Sequence, residues 1–401
     1  MKIKIEKSCA KGKINAPPSK SYAHRLLICA ALAQGISRID GVSQSVDMEA
    51  TLDCIGALGA EFTKTGDSVS IKGGIREGCR VFNCHESGST LRFFIPIALL
   101  TGDTCTFTGS ERLMSRGLSV YEEIFKSQGI ECIRDKCSVT LKGRLKPDTF
   151  SVRGDISSQF ISGLLFALPL LDGDSVISLT TRLESSAYVD ITIDTLKLFG
   201  IEIERGNGSF YIRGNQKYKC SDQRAEGDYS NSAFLDAFNL LGGDVSVLGL
   251  KNDSYQGDKI YKEYFSLLDK GTPTLDISNC PDLGPVLFAL AAVKNGACFE
   301  GTKRLSIKES DRGAAMKTEL EKLGASVELF ENSARVGCSA NAPKCELYGH
   351  NDHRIVMALA VILSLFGGVI DGCEAVSKSY PDFFEEIAKI GIRSEIINED
   401  N

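Results

Sequence analysis

Ser19-Lys20-Ser21-Tyr22-Ala23-His24-Arg25-Leu26-Leu27-Ile28-Cys29-Ala30-Ala31-Leu32, followed by the turn glycine Gly35, is a polar cluster that opens an apolar helical run. The same arrangement recurs five more times, opening at Ser87-Gly88-Ser89-Thr90, Ser157-Ser158-Gln159, Tyr229-Ser230-Asn231-Ser232, Pro281-Asp282-Leu283-Gly284 and Asn351-Asp352-His353-Arg354. The turns that follow fall at Gly102, Gly173, Gly243, Gly296 and Gly368, so successive turns lie 67, 71, 70, 53 and 72 residues apart. A steady period of this length marks a repeat architecture, here with one shortened copy.

A second echo supports the first. Leu58-Gly59-Ala60, Gln128-Gly129-Ile130, Phe199-Gly200-Ile201 and Leu323-Gly324-Ala325 each end a helix on the glycine that a left-handed cap favours. Alternating strands follow at Val69–Gly73, Val139–Gly143 and Phe210–Gly214. The short fourth interval lacks such a hairpin, near Leu268 to Leu275. Each unit therefore reads as helix, strand, helix and two paired strands. The opening helices are apolar nearly all round, as in Val286–Val293, and must be enclosed by protein.

A chain of 401 residues exceeds one ordinary hydrophobic core. Six units then mean three per domain, with the break at Glu226-Gly227-Asp228. One domain is expected over 17–226. The other is expected over 1–16 plus 227–401, because the strand Lys2–Glu6 precedes the first unit and pairs into the second domain.

Composition narrows the function classes. The chain is 43% hydrophobic and 24% charged, as a globular protein is, and its net charge of −6 argues against a general nucleic-acid binder. Small anionic substrates stay open, since a few clustered cations set the local field. Met1-Lys2-Ile3-Lys4 has no apolar signal region, and the longest uncharged apolar run, Ile355 to Ile370, is too short to span a membrane. It reads as a buried helix running into a strand. The 14 cysteines contain no Cys-x-x-Cys pair, so free thiols in a reducing cytoplasm are expected, most of them filling core positions. Cys84-His85 has no second ligand pair at suitable spacing, and no Gly-x-x-x-x-Gly-Lys-Ser/Thr loop occurs. No metal, nucleotide, flavin or other cofactor is expected.

Six enclosed helices with polar starts present six sets of free backbone N–H groups, each with about half a positive charge. If the helices of one domain run parallel, those starts share one face, and two such faces opposed are expected to make a cleft of strongly positive potential suited to phosphates and carboxylates. Capping alone explains the Ser, Asp and Asn residues. It does not explain the cations beside them: Lys20 and Arg25, Arg92, and His353 with Arg354. More follow the post-turn strands, namely Arg112, Arg116, Arg182, Arg304, Lys308, Arg312 and Lys378. A cation in the first helical turn opposes the dipole and calls for an anionic ligand.

At these residues the chain resembles the enolpyruvyl (carboxyvinyl) transferase family, in its shikimate-pathway branch. The resemblance rests on Pro18-Ser19-Lys20-Ser21-Tyr22-Ala23-His24-Arg25, Glu86-Ser87-Gly88-Ser89-Thr90-Leu91-Arg92, Ser157-Ser158-Gln159-Phe160, Lys308-Glu309-Ser310-Asp311-Arg312, Asn351-Asp352-His353-Arg354 and Ser377-Lys378-Ser379-Tyr380-Pro381-Asp382-Phe383. The match spans Lys11 to Phe384, with these motifs in order. Glu86 stands where many members have Asn, and Ser89 where Thr is common. The family resemblance implies a two-domain inside-out α/β barrel fold, with three helix-strand-helix-strand-strand repeats per domain, buried parallel helices and an active site in the cleft between domains.

It also implies roles. Asp282 would be the base at the attacking hydroxyl, with Lys20 and Glu309 moving protons at the enolpyruvyl group. Lys20, Ser21, Arg25, Ser157, Ser158, Gln159, Ser185, Tyr188, Asp282 and Lys308 would hold shikimate 3-phosphate, mainly from the first domain. Lys20, Gly88, Arg116, Gln159, Arg312, Arg354 and Lys378, with Lys308 beside them, would hold phosphoenolpyruvate. Asp282 read without the family is a helix cap, and Lys308, Glu309 and Arg312 a solvated helix face. Arg182 reads as a surface or inter-strand ion pair. A sibling acting on UDP-N-acetylglucosamine would carry a reactive Cys in the loop Gly109–Ser115, which has none. RNA 3′-phosphate cyclases, built from related units, would need a basic face and a nucleotide site. The partners expected are two small-molecule substrates, with no nucleic acid, no membrane and a monomeric chain.

Overall fold

The second repeat shows the plan. Strand Arg80–Asn83 leads into helix Gly88–Ala98, and strand Cys105–Thr108 returns parallel to the first. A short helix, Glu111–Ser115, and a longer one, Ser119–Gln128, precede the hairpin Glu131–Arg134 and Ser138–Lys142, whose second strand pairs antiparallel with Cys105–Thr108. The third repeat follows the same order, with helix Ser158–Ala167 between strands Thr149–Val152 and Ser175–Leu179. So does the fifth, with helix Gly284–Val293 between Thr274–Asp276 and Ala297–Glu300.

This computed structural model describes residues 1–397, so the end of the 227–401 segment, 398–401, lies outside the described residues. The chain divides into two compact units, Pro18–Glu226 and Met1–Pro17 with the chain from Gly227 onward. Pro17, placed by sequence in the first of these, belongs with the second, where its carbonyl accepts the Asp228 N–H at 2.8 Å.

Where the chain passes from one unit to the other, strands are exchanged between repeats, each pairing staying within a single unit. Lys11–Asn15 precedes the first opening helix, Lys20–Leu32, yet pairs in parallel with Asp244–Leu248, the strand after the fourth, Tyr229–Leu240. Gln223–Arg224 precedes the fourth and pairs with Ile36–Asp40, the strand after the first. In the sixth repeat, strand Lys2–Ile5 fills the place a hairpin strand holds elsewhere, between Gly368–Asp371 and Ser394–Ile397. The fourth repeat has only its two-stranded sheet. Helix Tyr261–Lys270 passes through Gly271 directly to Thr274–Asp276, as the short interval predicts. The strands thus hydrogen-bond within six separate sheets among the described residues, rather than around one closed barrel.

Two hydrophobic cores result, one in each unit. Helix Gly284–Val293 is buried from Gly284 through Ala292, and each of its enclosed Val, Leu and Phe side chains contributes about 1.5–3 kcal/mol. The run Ile355–Ile370 forms helix His353–Phe366 and then strand Gly368–Asp371. Gly59 and Gly129 cap their helices at φ of 118° and 68°, and Gly200 and Gly324 follow theirs at 77° and 86°. Two turn glycines behave otherwise: Gly173 is not left-handed, and Gly242 takes that conformation in place of Gly243. Each hairpin strand begins one residue before its predicted start.

The cysteines correct a second expectation. All 14 are free, but only six are buried, and six are exposed, because several fall on loops and hairpins outside the apolar runs.

Candidate active site

In the Pro18–Glu226 unit the helix starts carry side-chain caps from Ser19, Ser87 and Ser157. Cations sit just inside them. Lys20 Nζ donates to Asp47 Oδ2 at 2.9 Å, from the first repeat's second helix, Val46–Leu58. Buried Arg25 donates to Thr192 Oγ1 (2.7 Å), the Ser21 carbonyl (2.7 Å) and the Tyr188 carbonyl (3.0 Å), with its guanidinium 5.0 Å from the centre of the Phe93 ring. Arg92 donates to Gln159 Oε1 at 2.6 Å, and Gln159 Nε2 donates to Ser89 Oγ at 2.9 Å. The starts of the second and third opening helices therefore lie side by side, and these two helices run in the same direction. Tyr121 lies between them, its hydroxyl 2.7 Å and 3.1 Å from the carbonyls of Arg92 and Phe160. A Cβ on Gly88 would stand 2.8 Å from the Arg116 guanidinium, so glycine lets that group lie on the backbone.

The first helix joins the others through a buried polar chain. His24 Nδ1 is 2.7 Å from Thr51 Oγ1, which is 2.8 Å from Thr90 Oγ1, and Thr90 donates to the capping Ser87 Oγ. Thr51 Oγ1 also donates to the Asp47 carbonyl at 3.3 Å. Burial, with Lys20 and Arg25 nearby, holds His24 neutral. Ser185 is fully buried in the left-handed region (φ 53°) at the start of helix Ser186–Leu198, and Ser158 is buried in the first turn of its own.

The other unit concentrates charge at its helix starts. Fully buried Arg312 opens helix Arg312–Lys322 and serves three carboxylates: Asp282 Oδ1 (2.7 Å), Glu309 Oε2 (2.8 Å) and Asp352 Oδ2 (2.9 Å). Asp282 also accepts from Lys308 Nζ at 3.0 Å and from Arg354 at 3.1 Å. Asp352 caps helix His353–Phe366, accepting from Arg354 N and the Ser310 hydroxyl, each at 3.0 Å. Lys378 Nζ reaches the Asn351 carbonyl at 2.8 Å.

Burial opposes ionisation of Asp282, but Arg354, Lys308 and Arg312 outweigh it and hold the carboxyl well below the usual carboxylate range. Burial, only partly offset by Asp282, brings Lys308 down to about 8. Asp258, buried and facing Asp282, rises to about 6. The fourth opening helix, Tyr229–Leu240, packs against both other opening helices of this unit, Gly284–Val293 and His353–Phe366.

Part of the positive charge expected from sequence is matched by neighbouring carboxylates. Lys308, Arg312 and Arg354 are matched by Asp282, Glu309 and Asp352, and Lys20 by Asp47. Unmatched cations at this depth would cost several kcal/mol each.

A family model for EPSP synthase (3-phosphoshikimate 1-carboxyvinyltransferase) matches residues 6–387. The chain belongs to the EPSP synthase family. Relatives named 3-phosphoshikimate 1-carboxyvinyltransferase include one from Clostridium kluyveri, 44% identical over 97% of each chain, and one from Clostridioides difficile, 41% identical over 98% of each. The fold is shared with an EPSP synthase from Acinetobacter baumannii (TM-score 0.78, 20% identity, 99% of this chain and 100% of that one). The enolpyruvyl transferase NikO from Streptomyces tendae shares it too (TM-score 0.75, 15% identity, 98% of each).

In this EPSP synthase-family chain, the residues singled out by sequence fall into two groups. Lys20, Ser21, Arg25, Gly88, Arg116, Ser157, Ser158, Gln159, Ser185 and Tyr188 lie in the Pro18–Glu226 unit, and Asp282, Lys308, Glu309, Arg312, Arg354 and Lys378 in the other. Asp282 caps no helix by its side chain, and Arg312 is buried, so neither the cap nor the solvated-face alternative holds. Sequence reasoning missed Asp47, Asp258 and Thr192, which lie on second helices or turns with no motif of their own. Asp352 stood inside a quoted motif, and its position directly before His353-Arg354 was the available signal.

Proposed function

We propose that this chain transfers the enolpyruvyl group of phosphoenolpyruvate to the 5-hydroxyl of shikimate 3-phosphate, releasing phosphate. The observation that carries this reading is the Asp282 carboxylate ringed by Lys308, Arg312 and Arg354 at 2.7–3.1 Å. The cations suit the phosphate and carboxylate of phosphoenolpyruvate, and arginine's fork can hold either in bidentate fashion. Once those anions engage the cations, Asp282 regains basicity and takes the proton of the attacking hydroxyl. The hydroxyl oxygen bonds to C2 as the C3 methylene is protonated. Phosphate then leaves with the C2–O bonding pair while C3 returns a proton, which regenerates the enol. Lys20 and Glu309 carry those two proton transfers.

On this reading Arg25, Ser21, Ser157, Ser158, Ser185 and Tyr188 hold shikimate 3-phosphate, and Gln159 touches both substrates. Gly88, Arg116 and Lys378 join the phosphoenolpyruvate side. The protein works as a cytoplasmic monomer with no nucleic-acid or membrane partner; among the described residues, no helix is long and apolar enough to cross a membrane.

The direct test is phosphate release from phosphoenolpyruvate with shikimate 3-phosphate, set against UDP-N-acetylglucosamine. Turnover is expected only with the former, and turnover only with the latter would reject the reading. A pH dependence follows as well. Lys308 is cationic below about 8 and neutral above it, so the free enzyme captures anions less well as pH rises. kcat/KM is expected to fall with an apparent pKa of about 8, approaching tenfold per unit, while kcat changes less because a bound anion keeps the proton on. A kcat/KM profile flat to about pH 9.5 would contradict this assignment.

A further inference from the structure

Glu319 lies seven residues beyond Arg312 on the same helix and touches none of the groups assigned above, yet it is fully buried and fully engaged. Its Oε1 accepts from His350 Nε2 at 2.8 Å and Lys322 Nζ at 3.0 Å. Its Oε2 accepts from Lys322 Nζ at 2.8 Å and the Tyr348 N–H at 2.9 Å. Burial opposes its charge, but His350, Lys322 and the Tyr348 amide hold the carboxyl below its ordinary value.

The loop it grips is strained. His350 and Asn351 are consecutive non-glycine residues in the left-handed region, at φ of 51° and 52°, a conformation that persists only when its surroundings impose it. Directly beyond come the Asn351 carbonyl that receives Lys378, the capping Asp352 and Arg354. One helix therefore presents Arg312 at its start and, two turns on, the carboxylate that shapes the loop supplying Arg312's partner Asp352.

The second repeat carries the same device. His85 is left-handed at φ 50°, stands two residues before the capping Ser87 as His350 stands before Asp352, and its Nε2 is 2.8 Å from Asp53 Oδ2. Asp53 and Glu319 both occupy the eighth position of the second helix of the preceding repeat. That pair is more exposed, with side chains 37% and 55% accessible against 26% and 1% for His350 and Glu319.

We infer that Glu319 is a positioning residue for anion capture, acting through His350 to hold the 349–352 loop so that Asp352, Arg354 and the Lys378 contact are in place before substrate arrives. The inference rests on the functional reading above. A displacement of about 1 Å in a positioned group costs up to about a hundredfold in activity, so the loop needs such a clamp. Glu319→Gln keeps the shape but turns an amide N–H₂ toward donors that need an acceptor. His350→Ala removes the clamp from its half-exposed end and leaves the buried carboxylate to Lys322 and Tyr348.

The test is steady-state kinetics with both substrates on the full chain, with folding checked by circular dichroism. His350→Ala is expected to raise the KM for phosphoenolpyruvate about tenfold, and Glu319→Gln by up to about a hundredfold, leaving the KM for shikimate 3-phosphate within about twofold. The double variant should be no worse than Glu319→Gln, because both act through one loop. An unchanged KM for phosphoenolpyruvate in folded His350→Ala, equal rises for both substrates, or additive losses would overturn the inference. If Glu319→Gln does not fold, His350→Ala decides alone. A parent enzyme with no turnover on this substrate pair would sink the functional reading and the inference with it, whereas normal parental turnover confines any failure to the inference.

Discussion

Asp282→Asn is expected to lower kcat by about 10³-fold, within the range lost when a general base is removed. The same variant should bind inorganic phosphate more strongly than the parent. Asp282 is the carboxylate shared by Lys308, Arg312 and Arg354, and its neutral replacement leaves their charge for an external anion. Thermal unfolding with and without phosphate checks this, the stabilisation being larger in the variant. Residual kcat above about a tenth of parental would rule out Asp282 as the base. Equal phosphate stabilisation would rule out the competition. The parental carboxyl, held low in the folded state, stabilises fully above its ordinary value near about pH 4 and loses that contribution as pH falls through its depressed one. The variant should lack that acid-dependent component.

Arg312→Met is expected to abolish measurable turnover and to destabilise the fold by about 3–5 kcal/mol, the usual result of removing one partner from a buried ion pair. Three carboxylates lose a shared cation at once: Asp282, Glu309 and the wholly buried Asp352. Asp352 is also the cap of helix His353–Phe366, so the loss spreads from the charge cluster into the hydrophobic core. Urea unfolding measures the cost. Arg312→Lys should recover part of the stability and little activity, because an ammonium cannot reach three carboxylates as a planar fork does. A Met variant of near-parental stability would show that the cluster contributes no net stabilisation in the folded protein.

The architecture was legible because it is periodic. Helix openings, cap glycines and the missing fourth hairpin all follow from local chemistry repeated at a fixed interval, and Gly59, Gly129, Gly200 and Gly324 adopt the left-handed conformation that chemistry demands. The exchange of Lys11–Asn15 and Gln223–Arg224 between repeats was not legible, since a strand's pattern states its buried face and not its neighbour. At the site, sequence motifs picked out the cations together with Asp282, Glu309 and Asp352, but not which of them pair, and not Asp47. Asp47 meets Lys20 from 27 residues away, and Asp352 meets Arg312 from 40, pairings that only tertiary packing creates. How far the cations of these helix starts are matched by carboxylates could therefore not be read from first turns alone.

The placement of Lys2–Ile5 between Gly368–Asp371 and Ser394–Ile397 bears on how the protein is made. As the ribosome extends the chain, Pro18–Glu226 emerges as an uninterrupted stretch able to collapse on its own during synthesis. The opening strand has no such early partner. It is translated well before either neighbour, and until Gly368–Asp371 and Ser394–Ile397 have emerged it is an unpaired edge.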